Sequence, residues 1–121
     1  MLKLKLEWSE GQIRDIEKKD TFLGRTKGLM FRDEGRILLE FPFQGRYGVW
    51  MPFMKFSIDV AYISKEGKVV DLREEVPPMG LSPSTWKIYR PSKMCKYILE
   101  VESGVLGEKG LSKGTEVKFV D

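Results

Sequence analysis

The sequence of 121 residues contains no histidine and only one cysteine, Cys95. Without histidine, neither a Ser-His-Asp triad nor a Cys-His pair can be built. The same absence removes histidine-based zinc sites, and one thiol supplies neither a thiolate cage nor an intrachain disulfide. We therefore predict no catalytic residue, no metal site and no cofactor. Cys95 is interpreted as a buried structural cysteine, and the alternative is a redox thiol activated by Lys93 and Lys96.

The sequence also lacks asparagine, and its only side-chain amides are those of Gln12 and Gln44. Few thermolabile amides together with many lysines and glutamates are typical of proteins from hyperthermophiles. No apolar run is long enough to span a membrane, and residues 2–7 alternate apolar and charged side chains, unlike a signal peptide. These features predict a soluble, cytoplasmic protein without a membrane partner.

Short runs of alternating apolar and polar residues, separated by glycine and proline, are the main pattern that is present. They predict an all-β fold with one or two short helical turns, built as a compact sandwich or barrel of about seven or more short strands. The chain is expected to form a single domain, residues 1–121. The predicted strands cover residues 2–7, 36–41, 47–51, 58–63, 68–73, 96–101 and 115–120. The fourth and fifth of these strands are expected to form a hairpin.

The remaining segments lack a clear strand pattern. Residues 9–20 are polar and of mixed charge, which predicts a turn or a short helix, and residues 21–33 are predicted as a compact loop or helical turn. Residues 77–93 contain four prolines and are expected to form no regular element. The strand that begins at Arg36 is expected to end at Pro42.

The net charge of +3 is distributed unevenly along the chain. Residues 22–32, 41–58 and 76–99, called the acid-free segments below, contain nine basic residues and no acidic residue. Trp50 and every methionine except Met1 also lie in these segments. Because arginine binds carboxylates and phosphates, and tryptophan and methionine form apolar walls, this composition is suited to a pocket for a small anionic or planar ligand. The other interpretation, which is favoured for these side chains because large apolar residues are usually inside, is that they belong to the core and that the basic ones are solvated.

Asp59 interrupts an apolar stretch and, by alternation, shares a face with Ala61 and Ile63. On a buried face its carboxylate needs a partner, such as Arg25 or Arg32. Two interpretations follow, a structural ion pair and a carboxylate that acts as a catalytic acid or base.

Residues 86–97 interleave aromatic and basic side chains, with Trp86, Tyr89 and Tyr97 as the aromatic members. This composition is found in proteins that bind single-stranded nucleic acids by stacking. The low total charge and the absence of a known nucleic-acid motif argue against such a partner.

Seven short elements follow one another in a characteristic order along residues 10–120. They are Gly28-Leu29-Met30-Phe31-Arg32, the apolar segment from Arg36 to Phe41, Trp50-Met51, Ile58-Asp59, Gly67-Lys68-Val69, Leu99-Glu100 with Gly104, and Gly110-Leu111 with Gly114. In this order and spacing the chain resembles a family of small bacterial and archaeal proteins, domain of unknown function 192. The resemblance implies a compact all-β barrel or sandwich, and it brings no activity, cofactor or catalytic residue.

The chain departs from the family pattern at three places. Pro52-Phe53-Met54 stands where the family often has Lys-Asn-Thr, Ser57 replaces a proline, and Gly114-Thr115 replaces Gly-Asp. If those polar groups contact a ligand in relatives, this chain lacks the same contacts.

The interpretation that these patterns favour is a non-enzymatic binding module for a small anionic ligand. Its candidate ligand-binding residues are Arg25, Arg32, Trp50 and Asp59. The alternatives are a carboxylate-dependent enzyme that uses Asp59, a weak binder of single-stranded nucleic acid through residues 86–97, and a purely structural or partner-binding domain.

Overall fold

Seven strands form one sheet in the computed structural model, which describes residues 3–21, 24–25 and 28–121. The strands are β1 (Lys3–Trp8), β2 (Gly11–Lys19), β3 (Ile37–Gly45), β4 (Ile58–Ile63), β5 (Val69–Val76), β6 (Cys95–Glu102) and β7 (Lys118–Val120). Their order is β5-β4-β6-β3-β2-β1-β7, and only β2 and β3 are parallel neighbours. A short helix, α1 (Val105–Lys109), and a 3-10 turn at Pro83–Thr85 accompany the sheet. The predicted all-β class is confirmed, and the sheet curls into a half-barrel.

The two faces of the central strands carry two separate apolar clusters, as expected from the two-residue period of a strand. Core A consists of Leu4, Leu6, Ile13, Ile16, Leu38, Ala61, Ile63, Val69, Leu99, Val101, Leu106 and Leu111. Core B consists of Leu29, Ile37, Leu39, Val49, Met51, Ile58, Val60, Tyr62, Val76, Cys95 and Ile98. Helix α1 contributes to core A through Leu106, whereas irregular chain contributes to core B through Leu29, Val49 and Met51.

Strand β2 replaces the turn or short helix predicted for residues 9–20. Ile13 and Ile16 both enter core A although they are three positions apart, which breaks the period of a regular strand. A register shift against β1 accommodates one extra residue in β2, and Asp15 has a left-handed backbone with φ of 59°. This bulge turns both isoleucines inward. The prediction was wrong because the bulge interrupts the apolar–polar alternation by which a strand is recognised in a sequence.

Strand β3 continues through Pro42 to Gly45, beyond its predicted end. Its pairing with β6 shifts register between Glu40, which pairs with Tyr97, and Gly45, which pairs with Cys95. Pro42 lies inside that irregularity, where its missing N–H removes no ladder hydrogen bond.

The strand predicted for residues 47–51 is reduced to one isolated bridge between Val49 and Tyr89. Ile88 packs directly on Gly48, since a Cβ added at this glycine would lie 2.1 Å from the Ile88 Cγ2 atom. This stretch is therefore held by the irregular chain that follows β5 and does not form a regular ladder.

Two other predictions are confirmed. Strands β4 and β5 form the expected hairpin, closed by a hydrogen bond from the Ser64 N–H to the Lys68 carbonyl at 2.8 Å. Residues 77–93 are irregular apart from the 3-10 turn and the Tyr89 bridge. The Tyr62 hydroxyl donates to the Tyr89 carbonyl and ties this irregular chain to core B. The prediction for residues 21–33 falls partly outside the described residues.

In the part of the chain that the structure describes, no helix has the length and apolar character needed to cross a bilayer.

Cys95 is fully buried in core B. Burial raises the pKa of its thiol to about 11, which argues against the redox interpretation based on Lys93 and Lys96. At pH 8 only about one thiol in a thousand is then ionised.

We expect a thiol reagent such as dithionitrobenzoate to leave the native protein unlabelled at pH 8, because the thiol is both buried and protonated. The same reagent should label one thiol per chain in denaturant. Rapid stoichiometric labelling under native conditions would contradict the structural role of Cys95.

Candidate ligand-binding cavity

Asp59 is 0% exposed and all its hydrogen-bond partners are backbone amides. Its Oδ2 atom accepts from the N–H of Gly104 at 2.9 Å and from the N–H of Leu106 at 3.1 Å. Its Oδ1 atom accepts from the N–H of Glu75 at 2.9 Å. The carboxylate thereby joins β4 to β5 and to the start of α1. Glu75 and Gly104 both have left-handed backbones, with φ of 53° and 95°, and Asp59 stabilises both conformations.

The expected arginine partner of Asp59 is therefore not found. Arg32 instead forms a salt bridge with Glu17, with 2.5 Å between Nη1 and Oε2. The hydrogen bond from Arg32 lowers the pKa of Glu17. Arg32 lines a more open groove of mixed charge that also contains Glu34 and Arg36. Arg32 and Asp59 thus lie apart from each other and outside the cavity described next.

Arg25 and Trp50, the other two candidate residues, line one cavity of about 210 Å³. The cavity lies against core B, beneath the loops that cover this face. Its lining consists of Arg25, Gly28, Leu29, Met30, Leu39, Gly48, Val49, Trp50, Met54 and Glu100. The walls are mainly apolar, and Arg25 and Glu100 are the charged members.

Arg25 is positioned beside the middle of β3 by backbone carbonyls. Its Nη1 atom donates to the carbonyls of Asp20 at 2.6 Å and Glu40 at 3.2 Å. Its guanidinium also lies over the ring of Phe41, 5.3 Å from the ring centroid. Arg25 forms no salt bridge with any acidic residue that the structure describes. A fixed positive charge is therefore available at the cavity wall.

Glu100 lies on β6 and is only 6% exposed. Burial raises the pKa of its carboxyl group to about 7. Gly28 passes close by, since a Cβ added there would lie 3.9 Å from Glu100 Oε1 and 3.3 Å from Ile37. Among the described residues, burial is the cause of this shift. Glu100 thus faces the cavity as a group that changes charge near neutral pH.

The analysis of the sequence did not select Glu100 as a site residue. The available signal was the one used for Asp59, a single acid inside a buried apolar strand. Glu100 stands between Leu99 and Val101 of core A, so its own side chain points to the other face of the sheet.

The aromatic residues of the 86–97 segment do not share one surface. Trp86 is exposed, Tyr89 packs against core B, and Tyr97 packs against core A. Since cores A and B lie on opposite faces, the three rings do not form a single stacking platform.

Three of the elements that carried the family resemblance converge on the cavity: Gly28-Leu29-Met30, Trp50 and Glu100. The sequence profile of the family DUF192, described as uncharacterized ACR, matches residues 5–119. The chain belongs to this family. Relatives come from thermophilic archaea, in agreement with the amide-poor composition. One is a UPF0127 protein of Pyrococcus abyssi, 32% identical over 108 residues that cover 87% of this chain and 86% of the relative.

Two solved structures share the fold of this DUF192 chain. A protein from Sinorhizobium meliloti 1021, provisionally described as a transcription regulator, has a TM-score of 0.82 at 20% identity, covering 97% of this chain and 92% of that one. A protein of unknown function from Novosphingobium aromaticivorans has a TM-score of 0.84 at 17% identity, covering 97% and 84%. At these identities the similarity establishes the fold alone.

We expect Asp59→Asn to lower the free energy of unfolding by about 3 kcal/mol, because an amide NH2 would face buried backbone N–H groups. Urea unfolding at pH 7 measures the change. Glu66→Gln, a carboxylate-to-amide change in the exposed turn between β4 and β5, serves as the control and should change stability by less than about 0.5 kcal/mol. Equal stability of Asp59→Asn and the wild type would refute the structural role.

A second prediction concerns the pH dependence of stability. The folded protein holds the Glu100 proton more tightly than the unfolded chain, so this contribution is complete below about pH 4.5 and is lost as pH rises through about 7. Relative to Glu100→Gln, the wild type should lose about 3 kcal/mol between pH 4.5 and pH 8. Urea unfolding of both proteins across this range measures the difference, and a difference independent of pH would contradict the shifted pKa.

Proposed function

We infer that the protein is a non-enzymatic binding module whose cavity takes a small organic anion. The observation that carries this inference is the arrangement of Arg25 and Glu100 on one apolar-walled cavity. A guanidinium without a described acidic partner attracts an anion, and a buried carboxyl group with a pKa of about 7 does not neutralise it at lower pH.

The size of the cavity limits the ligand. A dry cavity of about 150 Å³ holds benzene, so about 210 Å³ accommodates a ligand of about eight non-hydrogen atoms. This corresponds to one ring, or a short branched chain, with one carboxylate or phosphate-like group.

The walls favour an apolar, planar body on such a ligand. Trp50 is 57% exposed and lines the cavity with an aromatic side chain, and Met30 and Met54 provide adaptable apolar contacts. The guanidinium N–H groups of Arg25 that the carbonyls of Asp20 and Glu40 do not occupy are suited to the anionic end.

Glu100 makes this binding depend on pH. When protonated, its carboxyl group donates one hydrogen bond to the anionic group of the ligand. When ionised, it repels the same group and offsets the charge of Arg25. Anion binding should therefore weaken as pH rises through about 7.

Asp59 and Arg32 have no part in the proposed site. Three backbone N–H groups already occupy the Asp59 carboxylate, and Glu17 already pairs with Arg32.

We expect small aromatic and aliphatic carboxylates, such as benzoate and cyclohexanecarboxylate, to bind more tightly than the neutral isostere benzamide. Affinity should fall about tenfold between pH 6 and pH 8, because the protonated fraction of Glu100 falls by that factor. Titration calorimetry and thermal shift at both pH values measure this.

Matched variants identify the groups responsible. Arg25→Gln should abolish the preference for carboxylates, and Glu100→Gln should remove the pH dependence while retaining binding. Arg46→Gln is the control, since Arg46 donates to the Pro91 carbonyl and does not line the cavity. The proposal fails if no carboxylate stabilises the protein, or if Arg25→Gln binds as tightly as the wild type.

A further inference from the structure

The exposed large apolar side chains of the described residues are confined to the acid-free segments. There are eight, namely Phe31, Phe43, Trp50, Phe53, Leu81, Trp86, Ile88 and Met94. Leu81 is the most extreme, at 98% exposed. None of the eight lies in the remainder of the described chain, which carries all the acidic residues. The same segments therefore combine exposed apolar surface with positive charge.

Contacts connect these side chains around the mouth of the cavity. The rings of Phe31 and Phe53 stack with 5.0 Å between centroids, and each is the sequence neighbour of a methionine that lines the cavity. Both have left-handed backbones, with φ of 65° and 60°, and the Phe31 N–H donates to the Phe53 carbonyl at 2.8 Å. The loops hold two exposed rings outward at a cost in backbone strain.

The irregular chain after β5 extends this surface from Gly48. Ile88 packs on Gly48, itself a cavity residue two positions before Trp50. The Trp86 indole N–H donates to the Gly80 carbonyl at 2.6 Å, which places Trp86 beside the chain that carries Leu81. We call this connected surface of the acid-free segments the loop face.

Basic side chains are interspersed among the apolar ones on the loop face. Lys87 stands between Trp86 and Ile88, and Lys93 precedes Met94. Lys87, Lys93, Arg46 and Arg90 are exposed and form no salt bridge with an acidic residue in the described ranges. The loop face thus carries four exposed basic side chains without a described acidic partner, whereas Lys55 of the same segments pairs with Asp33 at 3.6 Å.

We propose that the loop face docks on the surface of an anionic lipid bilayer. Exposed tryptophan, phenylalanine and leucine side chains enter the boundary between headgroups and acyl chains, and lysines and arginines contact the headgroup phosphates. Single-stranded nucleic acid fits less well, because aliphatic side chains such as Leu81 and Ile88 offer no ring for base stacking. The expectation of no membrane partner rested on the absence of a spanning segment, which does not bear on peripheral binding.

Sedimentation with vesicles tests the proposal on the full chain without added ligand. Vesicles of phosphatidylglycerol and phosphatidylcholine should bind the protein, vesicles of phosphatidylcholine alone should bind it at least tenfold more weakly, and added salt should weaken binding. Trp50 and Trp86 should shift their fluorescence to the blue on binding.

Paired variants separate the loop face from general basicity. Leu81→Ser combined with Trp86→Ser, and Lys87→Gln combined with Lys93→Gln, should each reduce binding to anionic vesicles about tenfold or more. Lys109→Gln combined with Lys113→Gln removes the same charge near α1, on the core A side, and should leave binding within about twofold of the wild type. Circular dichroism confirms that each variant is folded.

Three outcomes would overturn the proposal. The first is that the protein does not bind anionic vesicles. The second is that the Lys109 and Lys113 control variant loses as much vesicle binding as the loop-face variants do. The third is that the protein binds a single-stranded oligonucleotide but does not bind vesicles. Failure of the vesicle experiment leaves the carboxylate titrations unaffected, because the two experiments use different variants and ligands.

Discussion

Strand β4 imposes the main constraint on this structure, because all six of its residues are buried. Because the strand carries apolar side chains on both faces, other parts of the chain must pack against each face. The single acid in the strand also requires hydrogen-bond donors. Asp59 obtains three backbone N–H donors from β5 and from the start of α1. Satisfying this one carboxylate therefore stabilises both the left-handed backbone at Glu75 in β5 and the position of the helix that covers core A.

Core B has a different kind of cover. In the described part of the chain, the acid-free segments close it through Leu29, Val49 and Met51, none of which lies in one of the named helices or strands. Irregular chain packs less regularly than a second sheet would, and a cavity of about 210 Å³ is left between these loops and the sheet. Another buried acid, Glu100, faces this space, and burial raises the pKa of its carboxyl group.

The same loops account for the surface properties of the molecule. They lack acidic residues, they carry every exposed large apolar side chain of the described residues, and they surround the mouth of the cavity. Membership of DUF192 and the shared fold of two bacterial structures establish the scaffold. The shared fold specifies no ligand, and the side chains of these loops are what distinguish this chain from other proteins with the fold.

The sequence by itself determined the all-β class, the β4–β5 hairpin, the irregular chain at residues 77–93 and the family. These features follow from apolar–polar alternation, proline content and the order of motifs, which are local properties of the sequence and do not depend on tertiary contacts. The tertiary structure alone decided that β2 is a strand, since a bulge at Asp15 hides its period. It also decided the roles of Asp59 and Glu100, two of the three buried acids. Asp59 and Glu100 look alike in sequence, each an acid within an apolar strand, and only the groups packed against each face distinguish a carboxylate held by backbone amides from one that faces a cavity.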